Sequence, residues 1–154
     1  MLSRYEQFSF VIASIYRGIQ KIERDEMVKY GYKGSYAQYL AALTRYPEGL
    51  TLLQLCDACE KDKAAVSRAV ADMEERGLIV RVSPSGRKSH YRAQLRLTDE
   101  GRKISNFVCE RAQAAVDAVG SDMGDEQRSV FYSALGLIAA NLQTVTRQGI
   151  PEEE

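Results

Sequence analysis

Residues 51–101 read TLLQLCDACEKDKAAVSRAVADMEERGLIVRVSPSGRKSHYRAQLRLTDEG. Thr51 and Gln54 stand at capping-box spacing and open a short helix. Its apolar positions Leu52, Leu55, Cys56 and Cys59 fall at i, i+3, i+4 and i+7, which gives one buried face. Asp62 is a good N-cap for a second helix. That helix should turn Val66, Ala69, Val70 and Met73 inward and stop at Gly77, a C-terminal glycine. Two helices joined by little more than Glu60-Lys61 make a helix-turn-helix unit. Leu78 to Val82 is short and β-branched, and Ser83-Pro84-Ser85-Gly86 is turn chemistry. From Tyr91 to Thr98 the pattern alternates, with Tyr91, Ala93, Leu95 and Leu97 apolar between Arg92, Gln94, Arg96 and Thr98. Period two predicts a half-exposed strand. The two strands form a hairpin whose loop, 83–90, carries Arg87, Lys88 and His90.

Outward from this stretch the chain reads as helices. Arg4 to about Val28 places Phe8, Val11, Ile12, Ile15, Tyr16, Ile19 and Ile22 on one helical face. Lys29-Tyr30-Gly31-Tyr32-Lys33-Gly34 breaks it. Ser35 and Gln38 repeat the capping-box spacing, and a helix through Tyr36, Tyr39, Leu40 and Leu43 follows, ending before Pro47-Glu48-Gly49. Thr98 caps a long helix with Asp99 and Glu100 in its first turn, where the helix dipole favours anions. Gly120 to Gly124 breaks that helix, and Asp125 is expected to cap a last one through Val130, Phe131, Ala134, Leu135, Ile138, Leu142 and Val145. The expected fold is mainly α (α+β): a winged helix-turn-helix with helical flanks. Its parts are 1–34, an N-terminal helix; 35–100, the winged lobe; 101–148, C-terminal helices; and 149–154, an acidic tail.

The composition fits a single ordinary domain. The chain has 154 residues, 45% apolar and 27% charged, with 21 basic and 21 acidic side chains. Disorder needs low hydrophobicity and high net charge, and neither is present. The longest nearly apolar stretch, Val130 to Ala140, falls short of the roughly 20 residues a bilayer demands. No basic region followed by an apolar core opens the chain, so no secretory signal is expected. With 3 cysteines, a reducing cytoplasm is expected rather than a disulfide scaffold. Zero net charge speaks against a nucleic-acid partner only if the charges are evenly spread. They are not: Glu60 to Lys103 holds eleven bases and seven acids, and Arg81 to Arg96 holds five bases and no acid. The positive region coincides with the helix-turn-helix and the hairpin.

In such units the second helix enters the major groove of double-stranded DNA. Once Val66, Ala69, Val70 and Met73 turn inward, the face left over offers Lys63, Ala64, Ser67, Arg68 and Ala71. Alanine allows close approach, Ser67 can bond a base edge or phosphate, and Lys63 and Arg68 can neutralise phosphate. The segments Thr51 to Leu55, Asp62 to Arg68, Glu74-Glu75-Arg76-Gly77-Leu78-Ile79 and Leu97-Thr98-Asp99-Glu100-Gly101-Arg102 resemble the MarR (multiple-antibiotic-resistance regulator) family of bacterial transcription factors. The resemblance implies a homodimer joined through the first and last two helices and a pseudo-palindromic operator bound in the nucleoid. It also implies Arg87 as the wing-tip arginine and Arg81 as the basic residue of the first wing strand. Thr51, Lys88 and His90 complete the expected DNA-binding set. The wing departs from the family in one respect: Ser85-Gly86 precede Arg87 where relatives carry an aspartate. The terminal helices independently support a dimer, because a winged core of this size cannot cover their broad apolar faces.

Seven of the 9 tyrosines lie in the first 46 residues. In the resembled family small aromatic effectors bind between the dimer helices and the DNA-binding lobe. This makes Tyr36 and Tyr39 the expected ligand-binding residues and a ligand-responsive repressor the expected activity. Cys56-Asp57-Ala58-Cys59 supplies two ligands where zinc wants four, and His90 is the only histidine, so core packing is expected. A thiol switch through Cys56, Cys59 or Cys109, and a winged-helix module that binds protein rather than DNA, are the alternatives. No phosphate loop, nucleophile elbow or metal-ligand set is readable, so neither enzyme activity nor a cofactor is expected. Glu74 and Glu75 read as a solvated helix face.

Overall fold

In a computed structural model, residues 3–83 and 92–151 are described. The order is α1 (Arg4–Lys29), α2 (Tyr36–Arg45), α3 (Leu52–Cys59), α4 (Lys63–Glu75), β1 (Ile79–Val82), β2 (Gln94–Leu97), α5 (Asp99–Val119) and α6 (Asp125–Gln148). β1 and β2 pair antiparallel, with Ile79 opposite Leu97 and Val82 opposite Gln94. This is a winged helix-turn-helix with helical flanks. The chain forms two compact units, one ending at Ala115 and one beginning at Val116. Among the described residues no helix is long and apolar enough to cross a membrane.

The helix ends show which signals act. Thr51 accepts from the Gln54 amide at 3.3 Å while the Gln54 side chain accepts from the Thr51 amide at 2.9 Å. Asp62 accepts from the Ala65 amide at 2.8 Å. Ser35 makes no such bond. The Tyr36 amide donates to the Lys33 carbonyl and the Ala37 amide to that of Gly34, so a tight turn runs straight into α2. Ser35 thereby takes helical dihedrals, φ −62 and ψ −16, whereas a capping residue must be extended. The N-cap of α6 is Gly124, one residue before the expected Asp125, which lies in the first turn.

The junction of α4 and the wing is built on two glycines. Gly77 has φ +71, and its amide donates to the Glu74 carbonyl while that of Leu78 donates to Met73. This is a Schellman ending, which drops Leu78 into the core beside Met73, both 0% exposed. The Leu78 carbonyl then accepts from the Thr98 amide at 3.0 Å. The Thr98 hydroxyl donates to the Gly77 carbonyl at 2.6 Å and accepts from the Gly101 amide at 3.0 Å. The start of α5 is thus pinned against the end of α4. A Cβ on Gly101 would lie 1.9 Å from the Leu78 carbonyl oxygen, so only glycine permits this approach.

The core gathers α2, α3, α4, the wing and the first half of α5 around Leu40, Leu43, Leu55, Val66, Val70 and Leu95. Ala93, just before β2, and Leu95 and Leu97 on it are buried as the alternation predicts. A second, shorter pairing, between Leu50 and Leu95, is not readable from sequence because it rests on one residue after Gly49. Cys56 is buried and Cys59 partly buried against the same core. Near its C-terminal end α1 joins this unit: Met27 is fully buried, and buried Glu26 pairs with Lys29 at 2.5 Å and with Arg111 of α5 at 3.6 Å. The earlier turns of α1 leave Tyr5, Phe8, Phe10, Val11, Ile15 and Tyr16 exposed.

Candidate nucleic-acid interface

Val66, Val70 and Met73 go into the core, which turns the opposite side of α4 outward. Lys63, Ala64, Arg68 and Ala71 are exposed and Ser67 is half-buried at the edge of that face. The sequence reading of this surface therefore matches the placement of its side chains. Thr51 sits at the start of α3, its hydroxyl already serving as the cap. Arg87, Lys88 and His90 lie outside the described residues.

Arg81 is half-buried, and its Nε lies 3.0 and 2.9 Å from the two carboxylate oxygens of Glu74. Glu74 is therefore not the solvated position expected of it. The Schellman turn at Gly77 folds β1 back along α4 and brings the two residues together across seven positions. The pair ties the first wing strand to α4. Arg96 of β2 is held at the base of the wing by the Glu48 carbonyl at 2.8 Å and by Gln94 at 3.1 Å.

Behind α4, Tyr36 is 1% exposed and donates its hydroxyl to Asp72. Lys33 reaches the same carboxylate at 2.5 Å and Arg76 at 3.5 Å. The bonds from Lys33 and Tyr36 hold the Asp72 carboxyl at about 2. Burial, and then the hydrogen bond to Asp72, push the Tyr36 phenol up to about 12. The depressed carboxyl contributes stability that is fully present above the ordinary aspartate range and is lost as pH falls from about 4 through about 2. Asp72→Asn should accordingly flatten the acid limb of a melting-temperature profile between those values. An unchanged acid limb would contradict this. The role of Asp72 is not legible in the sequence, because its partners lie 36 and 39 positions away.

Tyr36 and Tyr39, expected as pocket walls, are 1% and 4% exposed in the core. Neither lines either of two cavities among the described residues of this unit. One is a void of about 10 Å³ beside Ser105 and Cys109. The other is a cleft of about 250 Å³ between α1 and the N-terminal end of α2, bordered by Glu23, Arg24, Gln38 and Lys61. Burial pushes all three thiols up; a neighbouring Asp57 adds to the effect at Cys56, Cys56 at Cys59, and Glu23 at Cys109. Among the described residues no group of His, Cys, Asp or Glu could hold a metal ion.

Residues 30–89 match the model of the MarR family. No curated protein matches the chain. Solved structures share its fold. A MarR family protein from Bacillus stearothermophilus is 21% identical, with a TM-score of 0.78 over 93% of this chain and 99% of that one. A MarR transcriptional regulator from Methanosarcina mazei is 22% identical, with a TM-score of 0.76 over 94% of each. Staphylococcus aureus MarR, in complex with salicylate and kanamycin, is 18% identical, with a TM-score of 0.74 over 91% of this chain and 93% of that one.

Proposed function

We propose that this protein is a homodimeric DNA-binding transcriptional regulator, a ligand-responsive repressor of the cytoplasm that binds a pseudo-palindromic operator in the nucleoid. The observation that carries this reading is the outward face of α4, with Lys63, Ala64, Ser67 and Arg68 in its first two turns. Small side chains let the helix descend into the groove, and Ser67 and Arg68 supply the polar groups that meet base edges and phosphates. Arg81, Arg87, Lys88 and His90 would extend the contact along the wing.

Dimerisation through the flanks, 1–34 and 101–148, is supported by apolar surface that a single chain leaves uncovered. On α1 it includes Phe8, Val11 and Ile15; α6 has no buried residue and exposes Val130, Tyr132, Leu137 and Leu142. A twofold pair would space two α4 helices by about 34 Å, one turn of DNA. The cleft beside Arg24 and Lys61 has the size and charge for a small aromatic acid, the class to which the salicylate in the Staphylococcus aureus structure belongs. An effector there acts only if it binds one spacing of the two lobes better than the other.

Affinity for duplex DNA measured between low and moderate salt tests this. Counterion release predicts a steep fall in binding as salt rises; salt-insensitive binding to protein partners and none to DNA would favour the protein-binding alternative. The raised thiols argue against redox control. Equal DNA affinity in peroxide and in reductant is expected, and a loss reversed by reductant would restore the thiol-switch reading.

A further inference from the structure

We propose that Asp72 is a positioning residue for DNA reading: it fixes the rotation of α4 about its own axis, acting through Lys33 and Tyr36, without touching DNA itself. This rests on the DNA-binding reading above. The apolar face of α4 is held by Val66, Val70 and Met73, and apolar packing is non-directional, so it resists lifting more than it resists rotation. Directional bonds are what set an angle. Asp72 takes one from the α1–α2 loop, at 2.5 Å from Lys33 Nζ, and one from the first residue of α2, the Tyr36 hydroxyl. Arg76 closes the group one turn on, 3.5 Å from the other carboxylate oxygen, with its guanidinium 6.0 Å from the Tyr32 ring. Two elements outside the helix-turn-helix thus grip the one side chain that lies a single turn beyond Arg68.

The leverage is geometric. Side-chain tips lie about 5–6 Å from a helix axis, so a rotation of about 10° moves them by about 1 Å. A hydrogen bond to a base edge tolerates about half an ångström, whereas a phosphate contact by a long basic side chain adjusts. Loss of the grip should therefore reduce discrimination between DNA sequences more than it reduces general affinity for DNA.

Tyr36→Phe keeps the buried ring and removes only the hydroxyl; Asp72→Asn keeps the shape and removes the charge. Affinities of the full-length wild type, both variants and the double variant are measured at one salt concentration, on a DNA selected from a random pool and on an unrelated duplex, alongside melting temperatures. Each single variant should lower the ratio of selected to unrelated affinity by about tenfold, with affinity for unrelated DNA unchanged. The double variant should fall by less than the two single losses combined, because both changes remove the Tyr36–Asp72 bond. Lower melting temperatures with an unchanged ratio would overturn the positioning role and leave the DNA reading intact. A wild type that prefers no DNA sequence would overturn both.

Discussion

Gly101→Ala is expected to destabilise the protein by about 3 kcal/mol or more, the upper end of what overpacking costs. An added Cβ meets the Leu78 carbonyl oxygen at 1.9 Å. Neither side can yield cheaply. The Leu78 carbonyl is held by the Thr98 amide, and Leu78 itself is fully buried at the Schellman ending of α4. On the other side, Gly101 lies in the first turn of α5, held to the Thr98 hydroxyl that also caps Gly77. For a chain of this length the melting temperature should fall by about 10 °C. Gly18→Ala is the control, since a Cβ there meets nothing within 4 Å inside helix α1. At equal protein concentration it should be neutral or stabilising by up to about 1 kcal/mol. Equal melting temperatures for the two variants would show that α5 does not start against α4 as described.

Arg68→Ala carries the second large effect, on binding rather than folding. Arg68 is exposed on the reading face, with its backbone fixed by Val66 and Val70 on either side, so its removal should leave the melting temperature nearly unchanged. If Arg68 reads a guanine, operator affinity should drop by about 1–3 kcal/mol and selectivity at one base pair should relax. If it meets phosphate, affinity should drop for all sequences and the salt slope should shrink by about one. The two outcomes separate in one titration series on operator and non-operator DNA. No change in either would remove Arg68 from the interface.

Much of this fold is legible in the sequence because its signals are local. The Thr51–Gln54 box, the Asp62 cap, the glycine stop at Gly77 and the alternation from Ala93 to Leu97 each sit within a few residues of what they control. Two misses, the Ser35 and Asp125 caps, are local, and the others depend on residues distant in sequence. Ser35 has a capping sequence, but the turn formed by Lys33 and Gly34 claims its backbone first. Glu74 looks solvated until the chain reverses and delivers Arg81 to it. The burial of Tyr36 and Tyr39 also comes from tertiary packing, with the Tyr36 hydroxyl bonded to an aspartate 36 positions on. The neutral net charge averages a basic helix-turn-helix and wing with an acidic remainder.

In the proposed function α4 reads DNA as one of a twofold pair. The most direct measurement is selection of bound duplexes from a random DNA pool by the full-length protein. An inverted repeat, its two half-sites centred about 10 base pairs apart, is the result this account predicts. Recovery of no enriched sequence, or of a single unrepeated site, would contradict it.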